Sequence, residues 1–304
     1  MREIINYYYN LNIENLHLVK GIYHFTYKNN SYVLKETNKH PQTILSLFQF
    51  FQKNFSIFKF YSKIILTKEN TPFIIIDNKV YVLLLTSNLS CDYISFYDMK
   101  FLNAYFDEKS KNLLRFPWQN LWTNKSDYLE NILVHTKSQL RELLPTFYWY
   151  LGLAENAISY LNHALKTYQK DERDNFVISH DRVNIKSSVI DFYDPITVVI
   201  DHPSRDISEY IKSLFLEDEY NMYEIEEYIN SLNFSNLGFS LLYARIIYPS
   251  FFFDILDNFY QEKITKEQLI KKLERMEEYR NFLKEIYFMI RKKAEIEEVR
   301  WIMR

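Results

Sequence analysis

The hydrophobic pattern of this chain changes period near residue 86, and that change bounds what it can fold into. Before it, short runs of β-branched and aromatic residues recur with the spacing of strands: GIYHFTY and SYVLKE, then TPFIII and VYVLLL. Asn29-Asn30 and Asp77-Asn78 separate the members of each pair and tolerate positive φ, so each pair reads as a tight hairpin. The near-continuous apolar run VYVLLL reads as a strand buried on both faces. Between the hairpins His40-Pro41 breaks the chain, and QTILSLFQFFQKNF places Ile44, Leu45, Leu47, Phe48 and Phe51 at helical spacing. The polar stretch TSNLSCDY then reads as a hinge. Beyond it the helical period dominates. Helices are expected at about 95–106, 124–144, 154–168, 208–216, 222–231, 237–259 and 265–304, the last opened by a Thr265/Gln268 capping box. Its mixed charge, KKLERMEEYR, fits a solvated face.

Composition narrows the function classes. The 304 residues are 47% hydrophobic and 25% charged, which leaves ample core. A formal net charge of -2 gives no electrostatic pull toward nucleic acid or anionic lipid. MREIINYYYNLNIENLHL lacks the apolar core of a secretory signal. FIII and VYVLLL are too short to span a bilayer, so no membrane insertion is expected. Cys91 is the single cysteine, which excludes an intrachain disulfide and a multi-cysteine zinc site and fits synthesis in a reducing cytosol. There are only three glycines, and 26 Tyr and 24 Phe. Tyr, Phe, Asn, Lys and Ile rise together, the imprint of an AT-rich coding sequence. A tyrosine-rich surface open to oxidative cross-linking is the alternative.

Strand, strand, helix, strand, strand is the order of the small lobe of a kinase. The expected fold is therefore α+β and bilobal: a small antiparallel β lobe over 1–86 and a larger, mainly helical lobe over 87–304. Phosphoryl transfer on such a fold needs a strand lysine on the phosphates, an acidic partner on the next helix and a glycine-rich cover. It also needs a catalytic-loop Asp, an Asn five residues on and a later metal-binding Asp. Lys35, in YVLK, stands where the strand lysine belongs, though a solvent-facing lysine on a strand reads the same way. No acid occurs between Gln42 and Asn54, so the lysine's partner must come from elsewhere. The loop KGIYHF offers one glycine, Gly21, and side chains at Ile22, Tyr23 and His24 would obstruct a phosphate cradle.

The stretch VISHDRVNIKSSVIDFYDPITVVIDHPSRD aligns with a catalytic loop in two ways. With Asp181 as the loop acid, Lys186 falls where the Asn belongs. With His180 as the loop histidine, Arg182 and Ser187 fill the Asp and Asn positions. Either way one metal ligand is lost, and Asn184 lies too close to replace it. Asp201 follows the strand TVVI and is the clearer metal-binding acid, although one Asp alone holds Mg²⁺ poorly. Arg205 and Asp206 read as structural, Asp206 as the cap of the helix ISEYIKSLFL. His180 and His202 have no third ligand nearby in sequence and read as hydrogen-bonded loop histidines. No GxSxG elbow occurs.

Four segments carry a wider resemblance: FPWQNLW (116–122), YLGLAENAISYL (150–161), VIDHPSRDISEYIKSLFL (199–216) and LLYARIIYPSFFFDILDNFY (241–260). In these the chain resembles the spore coat proteins of the CotS/YutH family, its YutH branch in particular. That family is related to the aminoglycoside phosphotransferase-like and choline-kinase-like proteins. The resemblance implies a kinase-like fold, synthesis in the mother-cell cytoplasm, a place in the spore coat and other coat proteins as partners. It puts Asp181 at the catalytic-loop acid, Asp201 at the metal acid and Asp206 at the helix-capping acid, with Ser179 or Arg182 in the neighbouring loop position. The departures from active phosphotransferases point to a pseudokinase with a scaffolding role and no cofactor. The alternative is an active kinase using Lys35 on ATP, Asp181 as base and Asp201 on Mg²⁺, acting on a small hydroxylated molecule or a coat protein.

Overall fold

The computed structural model describes the chain apart from residues 20, 87–91, 100, 104 and 137–139, with the backbone alone at 109 and 134–136. Most of the stretch read as a hinge, and Cys91, lie outside the described residues. The chain divides into two compact units, one of Met1–Arg115 with Phe176–Asp201, the other of Phe116–Asn175 with His202–Arg304. The boundary expected after residue 86 does not coincide with this division, because residues 176–201 return to the strand-rich unit.

The first unit is built on an antiparallel sheet. Its strands are β1 (His17–Val19), β2 (Ile22–Tyr27), β3 (Asn30–Thr37), β4 (Lys63–Ile64), β5 (Ile74–Ile76) and β6 (Lys79–Thr86), in the order β1-β2-β3-β6-β4, with β5 also on β6. Asp77 and Asn78 take positive φ of 49° and 62°, the tight hairpin expected there. In the other hairpin the turn falls one residue early, on Lys28 and Asn29 (49° and 62°), so that Asn30 already pairs with Tyr27.

Alternation along the strands sends side chains to two faces. Phe25, Leu34 and Leu83 lie on one, beneath α1 (Arg2–Tyr9), which the sequence reading missed and which buries Ile5 and Tyr9 there. The other face carries Val33, Lys35, Val82 and Leu84. Val82 and Leu84 pack with Ile44 of α2 (Pro41–Lys53) and with Ile196. Pro41 begins α2 and His40 Nδ1 accepts the Gln42 N–H at 3.3 Å, so the residue that breaks the strand also starts the helix.

Residues 176–201 form a second hairpin, β7 (Val177–His180) against β8 (Val198–Asp201), with a helical turn at Val189–Phe192 between them. Ile178, Val198 and Ile200 join Leu47 and Phe50 of α2, Phe58, Tyr61 and Leu113 in one cluster. At roughly 1.5–3 kcal/mol per fully buried large apolar side chain, this cluster ties the returning segment to the sheet unit. Of the helix expected at 95–106, the described residues form only a short 3-10 turn at Phe96–Asp98, boxed by Ser95 and Asp98.

The second unit is helical: α3 (Gln119–Thr136), α4 (Leu144–Thr167), α5 (Ser204–Leu216), α6 (Met222–Ser231), α7 (Asn236–Ile247), α8 (Ser250–Tyr260), α9 (Lys266–Leu273), α10 (Met276–Arg291) and α11 (Arg300–Met303). The single helix expected at 237–259 is two, because Pro249 cannot donate the N–H that would continue it. The expected 265–304 helix is three, and its Thr265/Gln268 capping box is present. Residues 236–260 form a stretch long and apolar enough to cross a bilayer, but the most apolar part of it is 83% buried, as in a core helix. Within that core Glu209 accepts from Lys212 (3.0 Å) and Arg245 (3.1 Å), and Lys212 also reaches Ser250 Oγ (2.7 Å) and the Tyr248 carbonyl (3.2 Å). Buried charges persist when paired and hydrogen-bonded in this way.

Candidate active site

Lys35, Asp181 and Asp201 all fall in the first unit, each held by a different element. Lys35 stands on β3 opposite Val82 of β6. Its ammonium is paired with the carboxylate of Asp194, whose side chain is only 7% exposed. Asp194 is fixed in turn, since its Oδ1 accepts the Ile196 N–H at 2.8 Å at the start of the turn Pro195–Thr197 that leads into β8. The strand lysine thus has an acidic partner, supplied by the segment before β8 and not by α2.

Asp181 directly follows β7. Its N–H donates to the Thr197 carbonyl at 2.8 Å, and its carboxylate lies 2.6 Å from the Lys39 ammonium and 4.0 Å from the Arg115 guanidinium. Asp201 ends β8 and is fully buried. The hairpin register sets Val177 opposite Asp201 and His180 opposite Val198. Asp181 and Asp201 therefore leave the hairpin at opposite ends, four residues or about 13 Å apart along the strand. Antiparallel pairing thus sends the residue read as the loop acid and the one read as the metal acid in opposite directions. Aligning on His180 does not change this. His180 is buried, with Nε2 3.2 Å from Tyr61 Oη and its ring against Phe192, and Asn184 Oδ1 accepts the N–H of Lys186 within its own loop.

Arg205 and Asp206 belong to the second unit, both buried in the first turn of α5. Asp206 is not the cap: the helix begins two residues before it. The neighbouring His202 serves the end of the helix instead, its Nδ1 accepting the Ser204 N–H at 3.1 Å and lying 2.8 Å from Ser204 Oγ. His202 Nε2 is 3.6 Å from Asp174 Oδ1. That buried carboxylate also accepts from Ser235 Oγ at 2.6 Å and from the Asp171 N–H at 2.9 Å. Burial pushes Asp174 up, but His202 beside it and these hydrogen bonds outweigh that and hold it below the usual carboxylate range. Among the described residues no three His, Cys, Asp or Glu side chains gather to hold a metal.

Sequence reasoning missed Asp194 and Lys39, the partners of Lys35 and Asp181. Lys35 and Asp194 are 159 residues apart, a separation no spacing rule reaches. The one available signal was Asp194-Pro195, a turn-forming pair just ahead of an apolar strand.

Comparison with known proteins supplies the kinship. Residues 2–286 match the family described as "Spore coat putative kinase YutH". The endospore coat-associated protein YutH of Bacillus subtilis (strain 168) is 28% identical over 208 residues, and the match spans 61% of this chain and 61% of that protein. Among solved structures, an aminoglycoside phosphotransferase from Alicyclobacillus acidocaldarius is similar with a TM-score of 0.57 at 14% identity, covering 96% of this chain and 97% of that one. The AMP-bound spectinomycin phosphotransferase APH(9)-Ia follows with a TM-score of 0.55 at 13% identity, covering 97% and 98%. A choline/ethanolamine kinase family protein from Mesorhizobium loti gives 0.53 at 9%, covering 93% and 94%. At such identities the likeness is one of fold. A spore coat location goes with the family match. The chain belongs to the YutH family of spore coat proteins, on the kinase-like fold of the aminoglycoside phosphotransferases.

Proposed function

We propose that this chain is a pseudokinase of the spore coat: it carries out no phosphoryl transfer and acts as a structural scaffold for other coat proteins. The observation that carries this reading is the β7–β8 register, which sends Asp181 and Asp201 out of opposite ends of their hairpin. Phosphoryl transfer is almost wholly positioning and charge stabilisation, and acids leaving a hairpin at opposite ends are poorly placed to serve one transferring phosphate. Two further features support it. Lys35 is engaged by Asp194. Val19 pairs with Ile22, so only two residues join β1 to β2, too few for a loop that covers phosphates. On this reading the chain needs neither ATP nor Mg²⁺. Tyr93, Tyr97 and Tyr105 are all more than half exposed, and side chains of this kind anchor protein partners.

The test has two arms. Purified chain incubated with Mg-ATP and candidate coat proteins is expected to release ADP no faster than a protein-free blank. In sporulating cells, an Asp181→Asn chain is expected to assemble into the coat as the unaltered one does. ATP turnover that disappears in Asp181→Asn, together with a coat defect in the same variant, would overturn the proposal.

A further inference from the structure

We infer that the groove between α3 and α4 binds a short linear polyamine, a di- or triammonium chain. Its charges would lie on Asp127, Glu130 and Glu155, with one N–H on the Ser126 hydroxyl. The inference does not rest on the pseudokinase reading. The whole lining belongs to the second unit, and Lys35, Asp181 and Asp201 take no part in it.

The groove encloses about 540 Å³, within the range of small-molecule sites. Helical spacing builds its two walls. Ser126, Asp127 and Glu130 lie three and four residues apart, so they share one face of α3. Glu155, Ile158 and Lys166 share a face of α4 in the same way.

Two independent observations point to a cationic ligand. Three carboxylates and one lysine line the groove, a formal charge of -2 with His163 neutral. All three acids are exposed, and among the described residues their carboxylates enter no hydrogen bond and no ion pair. The second observation is Ser126. It lines the groove although it is only 5% exposed, and its buried hydroxyl has no hydrogen-bond partner. A helical serine commonly turns its hydroxyl to the carbonyl one turn back. This one is left for a donor from outside the helix, and a buried hydroxyl without a partner costs stability until one arrives.

The spread of the charges selects a chain of ammonium groups over a single ion. A divalent metal wants several oxygens gathered on one point, and among the described residues no three acids gather so. Ammonium groups separated by methylenes can each meet one carboxylate. Ile158, one turn from Glu155, offers the methylenes an apolar surface. The groove is also short. Its wall on α3 runs from residue 123 to residue 130, about 10 Å of helix, which an extended peptide covers in roughly three residues. A small amine therefore fits better than a basic protein segment. His163 is already engaged, with Nε2 3.2 Å from Thr167 Oγ1 and 3.8 Å from the Glu297 carboxylate.

Isothermal titration calorimetry of the full chain with spermidine, at fixed ionic strength, tests this. Saturable binding is expected, weakened about tenfold in the double variant Glu130→Gln/Glu155→Gln. Both residues are exposed and unpaired, so that variant is expected to melt where the unaltered chain does. Ser126→Ala separates ligand contact from structure. It is expected to weaken spermidine binding about threefold and to leave the melting temperature of the free chain no lower, because the hydroxyl has no partner to lose. No saturable binding at millimolar spermidine would overturn the proposal, as would an affinity that either variant leaves unchanged. A lower melting temperature for free Ser126→Ala would overturn it too, since the hydroxyl would then be partnered already. Magnesium that displaces spermidine at equal concentration would assign the groove to a metal, and oligolysine that binds more tightly than spermidine would assign it to a basic peptide. Either result would overturn the polyamine.

Discussion

Replacing Lys35 with Met should unfold this protein more readily, and the size of the effect follows from what Lys35 touches. The side chains of Lys35 and Asp194 are 22% and 7% exposed, so the pair is largely out of water. Removing one partner of a buried ion pair typically costs about 3–5 kcal/mol, because the other charge is left without compensation. Two features lower that figure here. Asp194 keeps the Ile196 N–H at 2.8 Å, and water reaches the lysine end of the pair. About 2 kcal/mol remains. For a folding unit of this size that is a fall in Tm of roughly 4–8 °C. Thermal melts followed by circular dichroism would measure it, without nucleotide present. A double-mutant cycle with Asp194→Asn isolates the charge term, since the amide can still cap the turn, and a coupling of about 1–2 kcal/mol is expected. Equal melting temperatures for the Lys35→Met and unaltered chains, or a coupling near zero, would refute the reasoning.

Two other outcomes are expected from the second unit. A Cβ added at Gly238 would sit 3.0 Å from both Asp174 Oδ1 and Phe234 Cβ, so Gly238→Ala should cost about 1–3 kcal/mol in urea unfolding. Asp174 is held below the ordinary carboxylate value in the fold, so its contribution is present in full above that value, about 3.9, and drains away as pH falls toward the lower folded one. Acid titration of stability should therefore steepen below about pH 4 and flatten in Asp174→Asn.

How much of this was legible in the residues depended on whether the signal was local. The Asp77-Asn78 hairpin and α2 are written in a few neighbouring side chains: two residues that accept positive φ in one, an apolar stripe at helical spacing in the other. The Lys28-Asn29 turn slipped by one because three consecutive residues could take its strained positions. Helix starts were placed late wherever a proline opens the helix, as Pro145 does for α4, because proline was weighed only as a breaker. Lys35 was legible because YVLK names its strand. Asp194 was not, and neither was the pairing of VISH with VVID in the direction that parts Asp181 from Asp201. Both are products of tertiary packing across segments that share no local pattern.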